Sequence, residues 1–139
     1  MEQRKYKVIS LDLWDTVIRR NCHPDDIKRK TADYLMTNYY EYIMEKFRSV
    51  NFLAKIRVQH EREIGEETRI KGMDDEYEIH TVFKRWIQAV MPEYPNPEEL
   101  VDELYNYELQ TEIMNAYLDP TIVAMVEEIP HEKLIYISD

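Results

Sequence analysis

The chain has 139 residues, 44% of them apolar, which is enough for one ordinary hydrophobic core; its 28 acidic against 18 basic residues, a formal charge of −10, set an average field that repels a nucleic-acid backbone. A single cysteine, Cys22, rules out an intrachain disulfide and fits a reducing, cytoplasmic setting, and the apolar run after the polar residues 1–7 is too short for a signal or membrane-spanning segment. Two glycines and six prolines leave little tight-turn chemistry, so long helices joined by polar loops are favoured over a meander of short strands.

The first predicted element is a strand over 6–11, mostly apolar and therefore suited to a parallel sheet, ending at Asp12. Residues 19–24 form a polar link. Pro24 with Asp25 and Asp26 starts a helix, because proline is accepted in the first turn and carboxylates favour its positive end. Ile27, Leu35, Tyr39 and Ile43 share roughly one face, and a break is placed at Asn38 or near 48–51. A second helix from about Phe52 carries Leu53, Ile56, His60 and Ile64, and is expected to stop near Gly65 or soon after.

The most regular helix is predicted over 75–90, where Ile79, Val82, Phe83, Trp86, Ile87 and Val90 follow the three-four spacing. Pro92 and Pro95 mark a loop. Asn96, Pro97 and Glu99 then form a helix start, with a helix reaching toward Tyr117. Asp119-Pro120 opens a short helix that Pro130 ends. A last apolar strand spans 133–137 and leads into Ser138 and Asp139. Two strands separated by a long helical crossover are expected to be parallel neighbours.

Two segments carry chemistry. Val8-Ile9-Ser10-Leu11-Asp12-Leu13-Trp14-Asp15-Thr16-Val17 is an apolar strand ending in aspartate, with a second aspartate and a threonine close behind. Ile135-Tyr136-Ile137-Ser138 is an apolar strand ending in a hydroxyl. In order and context these resemble the first and second motifs of the haloacid dehalogenase superfamily. The resemblance implies an α/β fold: a Rossmann-like core fragment of two parallel strands, residues 1–20 and 119–139, with an all-helical cap, residues 21–118, inserted between them. It also implies a hydrolase acting on a small phosphorylated or halogenated metabolite. Asp12 would be the nucleophile, since a carboxylate at the carboxyl edge of such a sheet lies where ligands bind and can form a covalent intermediate. Thr16 would brace the loop, and Ser138 would bind phosphoryl oxygens. Asp12 and the backbone carbonyl of Trp14 would bind Mg2+.

The same resemblance offers Arg57 and Glu61, one helical turn apart, as substrate-binding residues. Glu108 and Glu112 resemble a second paired-acid element with that spacing. A polar or structural face accounts for these pairs equally well. Trp14 departs from the pattern of phosphatases in the superfamily, which carry a proton-donating aspartate at that position; the dehalogenase branch has an aromatic residue there. The lysine and acidic motifs that complete the catalytic set would follow Ser138. The chain therefore reads as truncated after Asp139, and little phosphatase turnover is expected of residues 1–139 alone. Strands 6–11 and 133–137 would leave edges prone to self-association. The alternative from another class is a non-catalytic helical interaction or regulatory domain derived from the same fold. His23, His60, His80 and His131 are scattered, Cys22 lacks a base partner, and the eleven tyrosines are read as packing residues.

Overall fold

A computed structural model describes residues 5–74 and 76–138. The protein is mixed α/β and mostly helical. In chain order the elements are β1 (Tyr6–Asp12), β2 (Ile18–Arg20), α1 (Pro24–Tyr39), two short 3-10 turns, α2 (Val50–Ile70), α3 (Ile79–Val90), α4 (Pro97–Asn115), β3 (Ala116–Leu118), α5 (Pro120–Glu128) and β4 (His131–Ile137). No helix among the described residues is long and apolar enough to cross a membrane. The chain divides into two compact units. One holds the residues up to His23 and from Glu112 onward; the other is Pro24–Thr111.

In the first unit β1 and β4 pair in parallel, an arrangement the long crossover between them permits, with Asp12 opposite Ile137. The α5 side of this unit buries Val17 and Val126, and a crevice of about 130 Å³ remains among Leu11, Ile122, Val123 and Leu134. Tyr6, Val8, Tyr136 and Ile137 are exposed.

A second pairing was not expected from the sequence. β2 and β3 form an antiparallel pair, Ile18 opposite Leu118 and Arg20 opposite Ala116. Arg19 and Arg20 lie in the expected polar link, Ile18 falls between it and the first strand, and Tyr117 lies at the expected end of a helix. Three-residue strands are too short to display a period of two, so only tertiary pairing reveals them. The unit containing β1 therefore takes in residues 112–118 as well as 119–138.

Asp119 caps α5, its carboxylate accepting from the backbone N–H of Thr121 at 2.9 Å and of Ile122 at 3.4 Å, with Pro120 opening the helix. Arg19 donates to its other oxygen at 3.0 Å. The Thr121 N–H holds the carboxyl below its ordinary pKa, burial opposes, and Arg19 adds to the lowering. Because the folded pKa is the lower one, this stabilisation is complete above the ordinary carboxylate range and disappears as pH falls through the folded value. Asp119→Asn keeps a cap but loses the charge. The thermal advantage of the wild type over this variant should thus be present at neutral pH and vanish on acidification; parallel curves at all pH values would contradict the assignment.

The second unit is helical. Its core gathers Leu35 of α1, Leu53 of α2, Phe83, Trp86, Ile87 and Val90 of α3, and Leu100, Val101 and Leu104 of α4. α1 runs through Asn38, and the break falls in the following segment, where 3-10 turns span Tyr40–Tyr42 and Glu45–Phe47. α2 also runs past Gly65, which is buried within the helix. The stop is at the other glycine. Gly72 has φ +79°, its N–H donates to the Arg69 carbonyl, and the Met73 N–H donates to that of Thr68. These two bonds satisfy two of the last carbonyls of the helix, and the left-handed backbone at Gly72 favours glycine.

α3 begins at Ile79, where the Glu78 carboxylate accepts from the backbone N–H groups of His80 and Thr81. Asp75, expected at its start, lies outside the described residues. Tyrosines line the rim of the core: Tyr34 and Tyr39 both donate to Glu103, at 2.7 and 2.6 Å, and Tyr34 stacks on Tyr107 with ring centroids 4.2 Å apart.

Candidate active site

Asp12 is the last residue of β1 and stands at the carboxyl edge of the parallel pair. The chain then turns back within a few residues. The Leu13 N–H donates to the Ile137 carbonyl at 3.0 Å, which ties the turn to the end of β4. Val17 and Ile18 both donate to the Leu13 carbonyl, and Asp15 donates to that of Ile18. Asp15 takes φ +59°, a left-handed conformation that aspartate tolerates better than most residues.

The Thr16 hydroxyl donates to Asp12 Oδ2 at 2.8 Å. This bond fixes one carboxylate oxygen and leaves the other to face outward chemistry. Ser138 directly follows Ile137, the register partner of Asp12, so nucleophile candidate and hydroxyl share one sheet edge. Asp12 with its near neighbour Thr16, and Ser138 from the distant strand β4, thus lie at one end of the parallel pair.

Trp14 is 37% exposed. The Arg20 guanidinium lies over its ring, 4.4 Å from the centroid. Arg20 also reaches Glu112 Oε2 from Nε at 3.0 Å, and one terminal nitrogen lies 3.6 Å from Asp15 Oδ1. Neither Arg20 nor this role of Glu112 is apparent from sequence. The available signal was an arginine just past an apolar turn, which reads equally well as a polar link.

The oxygen donors expected to hold Mg2+ are a carboxylate of Asp12 and the main-chain carbonyl of Trp14. The hydrogen bonds of the turn end on the carbonyls of Leu13 and Ile18. One carboxylate and one carbonyl are compatible with a hard cation that keeps several waters. Among the described residues, no three His, Cys, Asp or Glu side chains cluster as metal ligands.

Arg57 and Glu61 belong to the helical unit. Arg57 is only 1% exposed. Its two terminal nitrogens meet the two oxygens of Glu108, each at 2.6 Å, and the guanidinium packs over Phe83. Glu61 lies 3.2 Å from the same guanidinium and accepts from Lys28, while Thr31 donates to Glu108 at 2.6 Å. The result is a chain of alternating charge, Lys28, Glu61, Arg57 and Glu108, buried at Arg57 and Glu61 and half-buried at its two ends. Arg57 is directed into these ion pairs, whereas Glu61 and Lys28 also line an open cleft of about 540 Å³ with Arg62, Arg69 and Tyr77. Burial pushes the Tyr77 hydroxyl pKa up, and Glu61 adds to the shift.

The expected Glu108 and Glu112 pair is therefore divided by its partners, whereas Arg57 and Glu61 stay together. Glu108 neutralises Arg57, and Glu112 holds Arg20. His60 pairs with Glu63, and Cys22 is half-buried. No family model and no curated protein matches the chain.

Proposed function

We propose that this protein is a hydrolase of the haloacid dehalogenase superfamily, acting through an aspartyl-enzyme intermediate on a small phosphorylated or halogenated metabolite. On this reading the unit containing β1 and β4 is part of a Rossmann-like core, and Pro24–Thr111 is its helical cap. The observation that carries the reading is the Asp12 carboxylate at the tip of a parallel strand, held by Thr16 and next to the end of β4 that bears Ser138. The carboxyl ends of parallel strands are where open α/β sheets bind ligands.

The free oxygen of Asp12 would attack phosphorus or a carbon bearing halogen. A bond from that oxygen forms as the bond to the leaving group breaks, and the leaving group departs with the electron pair. Water then hydrolyses the aspartyl ester or anhydride and restores the carboxylate. Ser138 would hold phosphoryl oxygens, and Thr16 would keep the Asp12 carboxylate from rotating. Mg2+, held by Asp12 and the Trp14 carbonyl, would supply neutralisation of phosphoryl charge. Trp14 cannot donate a proton, so the leaving group must leave as a stable anion: a halide, or the carboxylate of an acyl phosphate.

The test is covalent labelling followed by peptide mass spectrometry. With Mg2+ and acetyl phosphate, or with a 2-haloacid in a parallel arm, the peptide containing Asp12 should gain one phosphoryl or one acid-derived group. Asp12→Asn should abolish the label. A wild type that takes neither label, or a label that survives in Asp12→Asn, would overturn the reading in favour of a non-catalytic interaction domain.

A further inference from the structure

We propose that Arg20 is a positioning residue for the candidate nucleophile: anchored by Glu112, its guanidinium clamps Trp14 and Asp15 and so fixes the turn that presents Asp12. The inference rests on the reading of Asp12 as the reacting group, and deepens it.

The turn from Leu13 to Val17 is held at its two ends by the fold. Leu13 is bonded to Ile137 of β4, and Ile18 enters β2, which pairs with β3. Its middle is held by short-range bonds, from the Asp15 N–H to the Ile18 carbonyl and from Thr16 to Asp12. Asp15 adopts a left-handed conformation there, and the Trp14 ring projects toward solvent on one side. A group that contacts both residues from a rigid support would suppress their motion.

Arg20 is that group. Its side chain is 18% exposed, well below Asp15 at 76%, although it lies at the end of a three-residue strand. The Glu112 carboxylate receives Nε at 3.0 Å, leaving the flat face of the guanidinium to cover the indole and a terminal nitrogen to approach Asp15. The backbone beneath is fixed as well, since Arg20 is in register with Ala116 and the next N–H, of Asn21, donates to Asn115. Stacking, ion pairing and a directed hydrogen bond from one planar cation are what arginine supplies and lysine does not. The clamp therefore connects the end of α4 to the turn that follows Asp12. A turn shifted by even a fraction of a contact distance would misalign the attack.

The protein contains two tryptophans, Trp14 and Trp86, so incorporation of 5-fluorotryptophan gives two fluorine resonances. Arg20→Gln and Arg20→Lys should each move and broaden the Trp14 resonance while that of Trp86 stays in place, which separates loss of the clamp from general unfolding. Both variants should label Asp12 about ten- to a hundredfold more slowly at saturating acetyl phosphate, with the half-saturating concentration unchanged. Lysine retains a charge for Glu112 but not the plane, so failure of Arg20→Lys to restore the rate is the specific expectation. An unmoved Trp14 resonance in Arg20→Gln, or a wild-type labelling rate in either variant, would overturn the proposal alone. A wild type that takes no label removes the reaction Arg20 would serve, and overturns the proposal together with the nucleophile reading.

Discussion

Trp86→Ala should cost the helical unit about 3–5 kcal/mol, whereas Trp86→Phe should cost less than about 1.5 kcal/mol. Trp86 is fully buried, and the Phe83 ring lies beside it with centroids 6.2 Å apart. Alanine would leave a void among Leu35, Leu53, Leu100 and Leu104, residues fixed on three different helices. Close-packed surroundings of that kind collapse only in part, so lost transfer energy and residual cavity both count. Phenylalanine keeps most of the ring volume, and like alanine it removes the indole N–H. No side-chain or backbone acceptor among the described residues meets the indole Nε1. Its removal relieves a buried unpaired donor, a term of roughly 1–3 kcal/mol that offsets much of the lost volume. Urea unfolding followed by far-ultraviolet circular dichroism measures both values. A Trp86→Ala change within about 0.5 kcal/mol would assign this face to the surface. A Trp86→Phe loss well above about 1.5 kcal/mol would remove the account of the unpaired donor.

The face that buries Trp86 was legible because periodicity and burial have the same cause. Val82, Phe83, Trp86, Ile87 and Val90 recur at three-four spacing, and the same five residues are buried in α3. The end strands were legible for a similar reason: parallel strands need a long crossover, and two apolar β-rich runs at the ends of a helical stretch have one. Helix ends were less so. Gly65 and Gly72 look alike as stop signals, yet one is buried inside α2 and only the other has the positive φ of a helix terminus. The β2–β3 pair was hidden because its strands are three residues each. At the candidate site, Asp12 and Thr16 are four residues apart, so their contact is local and a motif can carry it. The partners of Arg20 and Arg57 lie 92 and 51 residues away. No local spacing predicts which of several carboxylates on a long helix will turn inward to meet them.

That long-range choice leads to the other large expected effect. Glu108→Ala should destabilise the helical unit by about 3–5 kcal/mol, since it strips a buried cation of its principal partner. Arg57 gives both terminal nitrogens to Glu108 at 2.6 Å, a bidentate arrangement with paired directional bonds. Glu61 cannot replace it. It lies 3.2 Å from one of those nitrogens and already accepts from Lys28. Thr31 would also lose the acceptor it reaches in Glu108. The double variant Arg57→Met with Glu108→Leu removes cation and anion together, so its loss should be smaller than the sum of the two single losses by more than about 0.5 kcal/mol, the limit within which independent sites add. The effect should also persist in high salt, because burial excludes the ions that screen exposed charges. Urea denaturation of the wild type, both single variants and the double variant gives the coupling directly. A Glu108→Ala cost below about 1 kcal/mol is the behaviour of an exposed pair. In that case Arg57 would be free to face a ligand, and the bland and substrate-facing readings of the Arg57 and Glu61 pair would exchange places: the variant would fold normally, and its defect would appear in binding.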